Sequence, residues 1–133
     1  MRTQTTLAIA LAGAMVSLAT PVRAHHSMLV QFALDRPITL KGVVTTIIWT
    51  NPHSWIFVDV TNAEGQVEHW RVETGSLVRM VKRGLKKTDF EPGTPVIVGA
   101  YPARDGQLKV AGTVVTFPDR EAKGREASFA LGR

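Results

Sequence analysis

An all-β fold with one short helix is the class this sequence predicts, arranged as a five-stranded OB-like Greek-key barrel in the order β-β-β-α-β-β. Three observations predict it. Between Thr39 and Phe117, five segments alternate apolar and polar residues with a period of two, rich in Val, Ile and Thr. One stretch between the third and fourth segments switches to a helical period. Gly112 interrupts the last segment, where a tightly coiled barrel strand needs a bulge or sharp bend. A small open β-sandwich of similar connectivity is the alternative architecture.

The elements follow in order. Thr39 to Trp49 is the first strand, with Leu40, Val44 and Ile48 on one face and Val43, Ile47 and Trp49 on the other. Thr50-Asn51-Pro52-His53 is a turn, because Asn before Pro is extended and Pro cannot donate to a ladder. Trp55 to Thr61 is the second strand, setting Ile56, Val58 and Val60 against Trp55, Phe57 and Asp59. Asn62-Ala63-Glu64-Gly65 makes a hairpin loop. The third strand, Gln66 to Glu73, places Val67, His69, Arg71 and Glu73 opposite Trp70 and Val72. Ser76 to Gly84 then reads as a helix of about two turns, with a serine N-cap, basic residues in its last turn and a glycine stop. Glu91-Pro92-Gly93 turns into a fourth strand, Thr94 to Tyr101, and Arg104-Asp105-Gly106 turns into a fifth, Gln107 to Phe117. The remainder, 118–133, is charged and glycine-containing, and is expected to run over the surface as a polar tail.

Ahead of the barrel domain (39–117) lie two further segments. Residues 1–24 read as a cleaved signal peptide. Arg2 supplies the basic start and Leu7 to Ala19 the apolar run, while Val22 and Ala24 occupy the −3 and −1 positions of a cleavage site, with Pro21 just before. The apolar run is shorter than the roughly 20 residues that span a bilayer. Cleavage after Ala24 leaves an N-terminal arm, 25–38, that begins at His25. The expected compartment is the periplasm, reached by the general secretion route because no twin-arginine pair is present. After signal removal the chain is not expected to span a membrane.

Composition narrows the function classes. The formal charge of +5 falls to +3 when Arg2 and Arg23 leave with the signal. That modest surplus, together with export, argues against nucleic acid as a partner. There is no cysteine, which removes disulfides, thiolate metal sites, lipid anchoring through an N-terminal Cys and thiol nucleophiles. No nucleophile elbow, phosphate-binding glycine loop or HExxH run occurs. No catalytic residue is assigned.

The candidate site residues are histidines and their neighbours. His25 and His26 at a mature N-terminus combine an α-amine with two imidazoles, donors that suit copper or zinc. A histidine brace of this kind needs a second, distant histidine, and His53 and His69 are the available ones. Solvated residues at a flexible chain end are the blander reading of His25-His26. Asn51-Pro52-His53-Ser54-Trp55 offers an imidazole, a hydroxyl and an indole at one barrel mouth, although Asn-Pro shapes the turn and His53 can simply bond a backbone carbonyl. His69, Arg71 and Glu73 share a face; they form either a solvated row or the rim of a ligand groove around Trp55, with Arg71 able to hold an anion or pair with Asp59.

These residues carry a resemblance. Ala24-His25-His26-Ser27, Leu40-Lys41-Gly42-Val43-Val44, Trp49-Thr50-Asn51-Pro52-His53 and His69-Trp70-Arg71-Val72-Glu73 look like the pattern of an uncharacterised family of small exported bacterial proteins, known only as a domain of unknown function. The resemblance implies a β-rich periplasmic domain and supplies no activity, ligand or catalytic residue. Members of that family often carry an aromatic shortly after His-His-Ser, where this chain has Met28-Leu29. Three functions compete. The first is a binding module for a small ligand or a metal ion such as copper or zinc. The second is an interaction domain that contacts another envelope protein without metal. The third is a copper-dependent oxidase or oxygenase using the brace, although nothing in the sequence demands turnover.

Overall fold

In a computed structural model of the chain, residues 28–132 are described. The alternating segments become β1 (Ile38–Ile48), β2 (Trp55–Thr61), β3 (Val67–Glu73), β4 (Pro95–Pro102) and β5 (Lys109–Thr116). Antiparallel ladders join β1 to β2, β2 to β3, β1 to β4 and β4 to β5, and a parallel pairing of β3 with β5 closes the barrel. The circuit β1-β2-β3-β5-β4-β1 is the OB-like Greek-key arrangement that the element order predicts. Its closure excludes the open sandwich. Inside, Leu40, Val44, Ile56, Val58, Val72, Val96, Val98, Val110 and Val115 form the core.

Between β3 and β4 runs helix α2 (Leu77–Lys82), where the period change predicts it. The Ser76 side chain accepts the amide of Arg79 at 3.3 Å, and Gly84 ends the turn at φ +87°, a conformation only glycine adopts freely. Met80 of α2 is fully buried in the barrel core.

Bulges explain where alternation fails and where it holds. The β1–β2 register slips between Val44 and Thr46. That extra residue reverses the faces, so Ile47 and Trp49 pack on the core while Ile48 is exposed, contrary to the uniform alternation expected for Ile48. The β4–β5 register slips beside Gly112, as its position in the last strand predicts. A Cβ on Gly112 would sit 2.6 Å from Val72 Cγ1 and 2.7 Å from Leu131 Cδ1, so only glycine lets β3 and the C-terminal segment close over β5.

The C-terminal segment departs from expectation. Residues 118–132 do not wander: helix α3 (Pro118–Glu121) leads to β6 (Ser128–Ala130), which pairs antiparallel with β5. Phe129 and Leu131 are buried in the core, and Phe90, Phe117 and Phe129 stack in sequence with centroids 5.5 and 6.0 Å apart. Arg120 lies over the Phe117 and Phe129 rings and pairs with Asp89 of a 3₁₀ turn (Lys87–Phe90). Charge-rich composition hid two apolar anchors at strand spacing. At the other end of the described chain, a short helix α1 (Met28–Gln31) precedes Phe32, which bridges to Ala103. Phe32, Ala103 and Ala111 form a second apolar cluster on the outside of the barrel, with Met28, Leu34 and Tyr101 packed against it.

Candidate functional site

The Thr50–Ser54 turn and the β3–α2 junction are tied into one corner by backbone. Ser54 N–H donates to Gly75 O at 3.0 Å, Thr74 N–H to Ser54 O at 3.0 Å and Leu77 N–H to Thr50 O at 3.0 Å. The buried Ser54 hydroxyl donates to Thr50 O at 2.9 Å and accepts from Thr50 N at 3.1 Å, while the Asn51–Pro52 bond is cis. Gly75 N–H donates to Leu131 O at 2.8 Å, so the C-terminal segment braces the same corner. A Cβ on Gly75 would lie 2.4 Å from Gly132 O, which reserves that position for glycine.

His53 is held by this corner. Its Nδ1 lies 3.1 Å from Thr74 O. A carbonyl only accepts, so Nδ1 carries the hydrogen and the neutral ring presents its lone pair on Nε2. Metal-ligating imidazoles are commonly set in the same way, by a second-nitrogen bond to a carbonyl. The side chain is 40% exposed, and it borders a cleft of about 400 Å³ that Asn51, Pro52, Ser76, Val78 and Arg79 also line. The carboxylate of Glu73 is buried, with Oε1 3.8 Å from His53 Nδ1.

Strand register explains why Glu73 is here. Trp55 pairs with Glu73, Glu73 with Ala111 and Ala111 with Tyr101, so these four residues form one outward-facing row across β2, β3, β5 and β4. The arm covers the Ala111–Tyr101 end of the row with Met28 and Phe32. Alternation correctly turns Glu73 to the same face as His69 and Arg71, but it is not solvated with them. No sequence signal distinguishes it from its exposed neighbours, because its burial comes from residues outside its own strand.

The other expected site residues separate. Trp55 is half-buried at the edge of the row. His69 lies opposite Asp59 on the β2–β3 ladder, its Nδ1 2.6 Å from Asp59 Oδ1 and its side chain 80% exposed. That pairing replaces the Asp59–Arg71 contact considered from sequence; Arg71 instead donates to Gln107 Oε1 at 2.7 Å. His69 stands four strand positions from Glu73, about 13 Å at strand rise, so it does not join His53. Ala24, His25 and His26 lie outside the described residues. Among the described residues, no group of three His, Asp or Glu is placed to hold a metal ion.

A family model described as a family of unknown function, DUF6152, matches residues 12–114. The chain belongs to the DUF6152 family. The match runs from before the arm through most of β5, so it takes in the whole His53 corner apart from the C-terminal brace. No curated protein and no solved structure matches the chain. Among the described residues, no helix of this DUF6152 protein is long and apolar enough to cross a membrane.

Proposed function

We propose that this protein is a small exported binding module of the periplasm that holds copper or zinc between its mature N-terminus and the His53 corner. In this reading, cleavage after Ala24 frees the His25 amine, and His25, His26 and His53 supply nitrogen donors. Glu73 supplies a carboxylate beside them. Nitrogen donors with a carboxylate form a set that both metals accept.

The observation that carries the reading is the row Trp55–Glu73–Ala111–Tyr101. Phe32 of the arm shares an apolar cluster with Ala103 and Ala111, against which Met28 packs, while Glu73, one strand from Ala111 at about 4.8 Å, adjoins His53. Only Ser27 separates His26 from Met28, and three residues span at most about 10 Å. The proposal requires that this short span let His25 and His26 meet Glu73 and His53. His69 is not part of this set: it stands on the open β2–β3 ladder, four strand positions from Glu73.

Two preparations of the exported protein test the proposal. Intact mass is expected to show a chain starting at His25, and copper(II) titration to give binding tighter than about micromolar, roughly −8 kcal/mol. A version carrying one extra residue before His25 is expected to bind at least tenfold more weakly. Equal affinity in the two would remove the amine from the site. If neither copper nor zinc binds to the processed chain, the reading as an interaction domain for another envelope protein takes first place.

A further inference from the structure

The charge of this chain is concentrated in one place. Residues 77–88, covering α2 and the start of the 3₁₀ turn, contain Arg79, Lys82, Arg83, Lys86 and Lys87 and no acidic residue. With Arg2 and Arg23 gone with the signal, these five cations exceed the formal surplus of +3, and the nine remaining basic residues are outnumbered by eleven acidic ones. All five are exposed, and among the described residues no carboxylate forms a salt bridge with any of them.

Aliphatic side chains stand among them. Val78 is 47% exposed and Val81 53%, while Met80 of the same helix is buried. Val78 neighbours Val81 at i, i+3 and Lys82 at i, i+4, so apolar and cationic groups share one outward helix face. A short amphipathic surface with apolar groups between lysines and arginines fits the boundary of an anionic bilayer, where ammonium and guanidinium groups meet phosphates and valines meet the acyl boundary.

We propose that α2 and the following turn dock this protein on an anionic phospholipid surface. The charge complementarity selects that occupant: among the described residues the cations form no salt bridge with a carboxylate, and they are interleaved with valines on an exposed helix face. Val78 and Arg79 also line the His53 cleft, so docking brings the cleft mouth to the bilayer. The docking surface stands whether or not a metal binds there.

Vesicle flotation tests it with the exported protein and two lipid mixtures, phosphatidylcholine alone and an equimolar mixture with phosphatidylglycerol. Binding is expected only to the phosphatidylglycerol vesicles and is expected to fade at high salt. Lys82→Glu/Arg83→Glu should weaken it at least tenfold, and Val78→Ser/Val81→Ser about twofold or more. Arg36→Glu/Lys41→Glu, an equal charge change at exposed residues outside the patch, should retain most of the binding. Should the first double variant not fold by circular dichroism, Lys82→Gln alone is expected to lose about fivefold. Equal loss in the Arg36/Lys41 variant, equal binding to phosphatidylcholine, or no binding to phosphatidylglycerol would overturn the proposal; the last would point to an acidic protein partner.

Discussion

His53 and His69 each engage an oxygen through Nδ1, in settings that give the two bonds different consequences. His69 lies on an open ladder, 80% exposed, against the Asp59 carboxylate at 2.6 Å. A solvated pair of this kind contributes little stability and is screened by salt. His53 is half as exposed, and its partner is a backbone carbonyl in a corner where three chain segments meet. The carbonyl fixes which nitrogen carries the hydrogen, and the corner fixes where the ring stands. The same side chain is therefore a surface feature in one place and a ring of fixed orientation in the other.

Breaking the corner should have the largest effect. Leu131 is fully buried and its carbonyl accepts from Gly75, so Leu131→Ala should destabilise the protein by about 2–5 kcal/mol in denaturant unfolding. Gly75→Ala drives a methyl into the Gly132 backbone and should cost about 1–3 kcal/mol in the same measurement. Thr74→Val is smaller in shape change but removes a buried hydroxyl that lies 3.0 Å from both Ser54 O and Gly75 O; about 1–3 kcal/mol is expected. At the other histidine, Asp59→Asn should shift stability by less than about 1 kcal/mol, and less still at high salt. An Asp59→Asn cost as large as that of Thr74→Val would erase the distinction between the two settings.

The sequence exposes much of this fold and less of the site. Alternation locates all five barrel strands, and Ser76 and Gly84 bracket α2, because side-chain period and capping are local properties. Ile48 is misplaced because the bulge that reverses its face depends on how β1 meets β2. Phe129 and Leu131 are hidden among charged residues, although they share strand spacing and pack into the core. His53 is legible as a turn residue next to Asn51-Pro52. Glu73 is not, since its burial comes from residues outside its own strand, which alternation does not register. Long-range pairing assembles the candidate site, and no local pattern encodes it.

The most direct test of the account is copper(II) titration of three exported proteins: the parent, His53→Ala and His69→Ala. If His53 is a ligand, His53→Ala weakens binding at least tenfold, about 1.4 kcal/mol, while His69→Ala binds as the parent does. Equal affinity for His53→Ala and the parent, or an equal loss in both variants, would contradict it.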